Sequence, residues 1–389
     1  MTKWVTKKLG DLGYSFSGLS GKTINDFGSG KPFIPYMNIF SNGKIDPNQL
    51  EYVHIEENEH QNKVEKGDWF FTTSSETPEE VGMTSVLVDD IGEAYLNSFC
   101  FGFRLYNKNE FDPEFASYLF RSKDLRKKIS LFAQGSTRYN LPKQQMFEKL
   151  YITYPESLAE QRRIAGILSS ADGAIAASEA LIEKYRNIKR GLLTTLLQPK
   201  EGWKKVKLGE CCEPSSEKYN PLIQTEFKDC IEMENMEQGS GSIELLLVIN
   251  GTSDISKLLS IKNTFRKGDV LYGKLRPYLR KYWLAQFDGV CSTEIWVLRH
   301  SEFIDAQFLF YLFQTELINK IANLSSGTKM PRADWSLMQN QELFIPDLAE
   351  QRRIADILSS VDAKIVAEEK VVEKYKGVKK GLMEEMMNK

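Results

Sequence analysis

The chain is poor in the residues that build metal, redox and nucleophilic centres. Its 389 residues include five cysteines (Cys100, Cys211, Cys212, Cys230, Cys291) and three histidines (His54, His60, His300). An odd number of cysteines without C-x-x-C spacing argues against a disulfide framework and against a zinc knuckle, so buried free thiols are expected. No histidine stands at ligand spacing from another histidine or a cysteine, and no metal is expected. Charge of one sign is missing too: 51 Lys and Arg face 53 Asp and Glu, so any surface for a polyanion must be local. No apolar run approaches the roughly 18 to 20 residues of a membrane span, and Met1 to Gly10 lacks the apolar core of a signal peptide. The expectation is a cytoplasmic protein with no membrane partner.

Catalytic motifs are equally scarce. Gly18-Leu19-Ser20-Gly21-Lys22-Thr23 resembles the end of a phosphate loop, but the first glycine of that pattern is replaced by Phe16, which leaves a turn. There is no G-x-G-x-x-G, no G-x-S-x-G and no H-E-x-x-H, and the carboxylates are scattered without nuclease-like spacing. A chain with 41% hydrophobic and 27% charged residues folds nonetheless, and its length suits two or three domains.

What is present is a duplication. Leu158 to Leu192 (LAEQRRIAGILSSADGAIAASEALIEKYRNIKRGL) recurs 190 residues later as Leu348 to Leu382 (LAEQRRIADILSSVDAKIVAEEKVVEKYKGVKKGL), with 22 identities in 35 positions. Ser157 with Glu160, and Asp347 with Glu350, have capping-box spacing, and Pro155 and Pro346 stand just before. Apolar residues then follow in steps of four and three: Ile164, Leu168, Ala171, Ile175, Ile182, Tyr185, Leu192 and Leu196, and likewise Ile354, Leu358, Val361, Ile365, Val372, Tyr375, Leu382 and Met386. Polar residues interrupt both stripes, Ser178 and Lys189 in the first and Glu368 and Lys379 in the second. Ser178 and Glu368 either fix register or are solvated exceptions. Each helix should run for about 38 residues, roughly 57 Å at 1.5 Å per residue.

Elsewhere the copies match in register: Lys66-Gly67-Asp68 with Lys267-Gly268-Asp269, Tyr118-Leu119-Phe120 with Tyr311-Leu312-Phe313, and Trp4 with Trp203. Short apolar runs at Trp69 to Phe71, Phe99 to Leu105, Asp269 to Tyr272 and Glu294 to Leu298 read as strands, and Pro113 to Phe132 and Ala306 to Leu324 as helices. The fold class is therefore α+β: globular domains at 1–156 and 200–346, a central spacer helix at 157–199 and a C-terminal one at 347–389. A pseudo-two-fold relation between the copies would lay the two helices antiparallel as a coiled coil, with the domains held apart.

The candidate ligand surface is basic and aromatic. Arg266 to Trp283 (RKGDVLYGKLRPYLRKYW) carries six cations against one acid, interleaved with Tyr272, Tyr278, Tyr282 and Trp283. Lys274, Arg276, Tyr278, Arg280 and Lys281 suit phosphate contacts plus packing on bases or sugars, although charge protecting an edge strand fits as well. The equivalent Trp69 to Gly82 has no base. Thr73, Ser74, Ser75 and Glu76 offer hydroxyl and carboxylate groups that can read base edges, and a polar surface turn is the alternative. Two further loops pair up, with Ser136, Thr137, Arg138 and Asn140 in one and Thr328, Lys329 and Arg332 in the other.

Taken together, the duplicated LAEQRRIA and K-[RK]-G-L helices, TSSETPEEVG at Thr73 to Gly82, KLRPYLRKYW and CSTEIWVLR resemble the specificity subunits of Type I restriction-modification enzymes over essentially the whole chain. The resemblance implies two DNA-target recognition domains, each reading half of a bipartite double-stranded site, with the helices setting the gap. It implies two modification subunits docked on the assembly, for which Gln161, Arg162, Arg163, Gln351, Arg352 and Arg353 are candidate contacts, and restriction subunits in the full complex. S-adenosylmethionine, ATP and Mg are then expected on those partners and no cofactor on this chain. The missing Asn or Asp before Pro-Pro-Tyr or Pro-Pro-Phe agrees with methyl transfer residing elsewhere. A stand-alone DNA-modifying enzyme would need motifs that are absent, and a coiled-coil scaffold would need neither two differing domains nor the basic cluster.

Overall fold

The computed structural model describes residues 3–221, 223–224, 229–244, 260–324 and 330–387. They fall into two compact units, one of residues 1–179 with 370–389 and one of residues 180–369. The division cuts both long helices, Leu158–Leu196 and Leu348–Met387, near their midpoints. Each unit therefore owns half of each helix, where the sequence reading set the helices apart as spacers.

In the first unit, Trp4–Lys8 pairs antiparallel with Tyr151–Pro155. A four-stranded antiparallel sheet has the order Gly13–Ser17, Cys100–Leu105, Trp69–Thr72, Thr84–Val86. Trp69, Phe71 and Phe103 on one face of it pack with Phe115 and Phe120 of the following helical segment. Ile164, Ala165 and Leu168 of the first long helix close that core, joined by Leu382, Met383, Met386 and Met387 from the far end of the second.

The second unit repeats the plan. Lys204–Lys207 pairs with Glu342–Ile345, and the sheet order Cys212–Pro214, Ile295–His300, Val270–Gly273, Tyr282–Leu284 matches strand for strand. Tyr272, Phe308, Leu309 and Tyr311 pack with Ile354, Ala355 and Leu358, and with Leu192 and Leu196. In both units the expected single helix is two: Pro113–Leu119 then Lys123–Ser130, and Ala306–Leu312 then Glu316–Ala322. Ser122 and Thr315 divide them, since each hydroxyl accepts from the backbone N–H three residues on and so starts a new helix. All five cysteines are free and buried.

Two of the polar interruptions, Lys379 and Lys189, are built into hydrogen-bonded clusters. In the first unit Lys379 donates to Asp172 Oδ1 at 2.5 Å, while the Tyr118 hydroxyl donates to Oδ2 at 2.7 Å. In the second, Lys189 meets Asp362 Oδ1 at 2.7 Å and Tyr311 donates to Oδ2 at 2.8 Å. Burial, reinforced by the neighbouring aspartate, pushes both tyrosine hydroxyls well above their usual range. Further along, Glu179 pairs with Lys376 in the first unit, and Arg186 with Glu369 in the second. Within each unit, residues advancing along one helix meet residues receding along the other, so the segments run antiparallel.

Gln161 and Gln351 are fully buried, which corrects their assignment to a subunit-docking surface. Gln161 accepts from the Asp112 N–H at 2.8 Å and donates to the carbonyls of Glu110 and Pro155. Gln351 does the same with Asp305, Phe303 and Pro346. Each staples a long helix to the loop that caps the first helix of its own module. Gln351→Ala strands three backbone groups, the Pro346 carbonyl buried and the other two partly so, and should lower stability by about 2 kcal/mol, read by urea denaturation. Arg162, Arg163, Arg352 and Arg353 are exposed, although Glu160 and Glu350 clasp Arg163 and Arg353 through both carboxylate oxygens.

The first long helix, by length and composition alone, is long and apolar enough to cross a membrane. Alanine, isoleucine and leucine between widely spaced charges raise its apolarity without forming a continuous apolar run. Its Ile164 and Leu168 lie in the core of the first unit, and Asp172 is ion-paired.

Candidate nucleic-acid interface

Each module brings its two suspected loops together. In the first, Ser74–Ser75 pairs antiparallel with Tyr139–Asn140, and the Arg138 guanidinium donates to Ser74 Oγ through Nε and Nη2 at 3.1 and 2.8 Å. In the second, Leu275 bridges to Arg332, the Ala333 N–H donates to the Lys274 carbonyl at 2.8 Å, and the Arg276 N–H to the Pro331 carbonyl at 2.7 Å. Thr328 and Lys329 lie outside the described residues.

The first-module loop is held by groups that lie outside it. Arg126 donates to the carbonyls of Glu79, Val81 and Gly82, and its desolvation pulls the guanidinium pKa down to about 10. Gly82 ends the loop at φ +64°, where a side chain would meet Ile129 and Leu141 at 2.9 Å. Thr73 is turned to the Phe99 carbonyl, and Ser75 and Thr77 both donate to Glu80. Glu76, Ser136, Thr137 and Asn140 remain exposed. Tyr36, Phe40, Phe99, Ser74, Glu76 and Arg138 line an open cleft of about 780 Å³. Sequence reasoning missed its aromatic wall. Phe99 is exposed beside the strand that begins at Ser74, a placement that the sequence does not reveal.

The second-module cluster is less basic than its sequence, because carboxylates from elsewhere engage two of its six cations, Arg266 and Arg280. Arg280 pairs with Glu316 at 2.5 Å, and Arg332 forks onto Glu294 at 2.9 and 3.1 Å. Arg266 meets Glu217, and Lys281 donates to the Met233 carbonyl. These cations hold Glu294 and Glu316 below the usual carboxylate range, and Arg299 and Arg266 draw Glu217 down to about 2. The Arg276 guanidinium has no hydrogen bond or ion pair among the described residues, and Tyr278 is half exposed beside it. The cluster is a turn between Val270–Gly273, an inner strand, and Tyr282–Leu284, the outermost; it does not lie along an exposed strand edge. Around Pro277–Leu279 two non-glycine residues have positive φ, Arg276 (51°) and Arg280 (50°). Such conformations cost about 1–3 kcal/mol each and persist where surrounding structure enforces them. Lys22, from the failed phosphate loop, is tied to Glu59.

Two equivalent modules, each presenting a pair of clamped polar loops, define a protein with duplicated ligand-reading sites. The chain belongs to the family of the Type I restriction modification DNA specificity domain, whose model matches residues 1–185 and 200–374. It is 28% identical over 295 residues to the Type I restriction enzyme MjaVIII specificity subunit of Methanocaldococcus jannaschii, covering 68% of each chain. A second protein of that organism, the putative MjaX specificity subunit, is 25% identical over 405 residues, covering 98% of this chain and 92% of its own. The fold is shared with the S subunit of a Type I system from M. genitalium (TM-score 0.57, 15% identity, 100% and 97% covered). It is shared also with a chain of a Type I system solved to describe complex assembly and conformational transition (TM-score 0.60, 16% identity, 99% and 97% covered).

Proposed function

We propose that this chain is the non-catalytic DNA-reading subunit of a Type I restriction-modification complex, in which each module takes one half of a bipartite double-stranded site. The observation that carries the reading is the paired-loop clamp, found in both modules with different chemistry: Ser74, Glu76 and Arg138 in the first, Lys274, Arg276 and Tyr278 in the second. A shared scaffold with differing loop chemistry suits two half-sites of different sequence, since base edges are told apart by donor and acceptor pattern. Two modification subunits dock on the assembly, with the exposed Arg162, Arg163, Arg352 and Arg353 as contacts, and restriction subunits join the full complex. S-adenosylmethionine, ATP and Mg belong to those partners, and the assembly works in the cytoplasm away from membranes.

Methylated adenines mapped in a host carrying this chain and its modification subunit should fall in one bipartite sequence, and should vanish when this chain is deleted. The isolated chain should incorporate no labelled methyl group into DNA and hydrolyse no ATP. Methyl incorporation without the modification subunit would overturn the non-catalytic assignment.

A further inference from the structure

Arg276 combines three properties that its neighbours lack in combination. Its backbone is in the left-handed region (φ 51°, ψ 62°), where glycine is the low-strain residue. It precedes Pro277, whose ring narrows the conformations open to it still further. And its exposed guanidinium has no partner among the described residues, whereas Arg280 and Arg332 are held by Glu316 and Glu294. The loop that imposes this geometry is fixed on both sides: the Arg276 N–H donates to Pro331, its carbonyl accepts from Leu279, and the Arg280 carbonyl accepts from Gly239. A phosphate contact asks for a cation anywhere within reach, which a flexible side chain on relaxed backbone supplies. A fixed Cα–Cβ direction matters when the side chain must meet a planar edge in one orientation.

We infer that Arg276 reads a guanine, its guanidinium donating two hydrogen bonds to O6 and N7 in the major groove, and that this guanine lies in the half-site of the second module. The assignment rests on the DNA-reading proposal above. Arginine matches that acceptor pair as a fork and lysine only as a point charge, so the two separate base from phosphate contact.

The test uses the complex of this chain with its modification subunits and duplexes carrying the mapped site. Arg276→Gly should leave the melting temperature of the complex unchanged or raised, because it relieves the backbone. It should also reduce the preference for one G·C pair, in one half-site, by about 10-fold or more. Arg276→Lys should lose the same preference while keeping the salt dependence of binding. Substituting 7-deazaguanine at that position should weaken wild-type binding and leave Arg276→Gly indifferent. The inference is overturned if Arg276→Gly weakens all sequences equally and lowers the salt slope, which marks a phosphate contact, or if discrimination is unchanged. A wild-type complex without any sequence preference would overturn the DNA-reading proposal as well, and is distinguishable because the failure then precedes any substitution.

Discussion

Asp362→Ala should destabilise the second unit by about 3 kcal/mol, and the equivalent Asp172→Ala should cost the first unit only about 1–2 kcal/mol. Both changes remove the acceptor shared by a lysine and a tyrosine. The lysines they strand differ: the Lys189 side chain is 9% exposed, that of Lys379 26%. Removing one partner of a buried pair leaves the other charge without compensation, and solvent reaching Lys379 softens that penalty. Asp362→Asn should recover part of the loss, since an amide oxygen still accepts from Tyr311. Replacing Lys189 by Met together with Asp362 by Leu should recover only part of the loss, because neither charge is then left behind but the buried Tyr311 hydroxyl has lost its acceptor. Urea titrations followed by hydrogen exchange in each unit separate the two costs. Equal losses in both units would overturn the role given to lysine burial, and a loss below about 1 kcal/mol for Asp362→Ala would mean that the ion pair contributes no more than a surface contact.

That polar pair shows where sequence reading stops. Counting apolar residues at heptad spacing located both long helices closely, because the pattern depends only on local periodicity. The same counting reduced Lys189 and Lys379 to interruptions, since their carboxylates stand well over a hundred residues away and only the tertiary fold brings them close. Gln161 and Gln351 failed for the opposite reason. The family resemblance implied a docking role for them, but the repeated task is internal, hydrogen bonding to the loop that carries the helix cap Asp112 or Asp305. In the loops, hydroxyl, carboxylate and basic residues were legible as candidates one by one. That Ser74 faces Arg138, that Glu294 holds Arg332, and that Arg276 is left over, depended on bridges between segments 64 and 38 residues apart or on backbone angles that residue type does not reveal.

Helix length can be altered at the boundary between the two units without disturbing the contacts inside either one. Both long helices pass from one unit into the other, at 179/180 and at 369/370. Inserting seven residues in stripe register at both points should keep every contact inside each unit, including the Asp172 and Asp362 clusters. Seven residues add about 10.5 Å and nearly two full turns, so the apolar stripe re-emerges within about 20° of its original direction. With DNA rising about 3.4 Å per base pair, the unspecified gap of the bipartite site should lengthen by about three base pairs while both half-site sequences persist. Insertion in one helix alone sets a lengthened segment against an unlengthened one, and should abolish methylation. Methylome mapping in cells carrying each variant gives the answer. An active double-insertion variant with the original gap would show that spacing is set outside the helices, by the modification subunits or by the DNA itself.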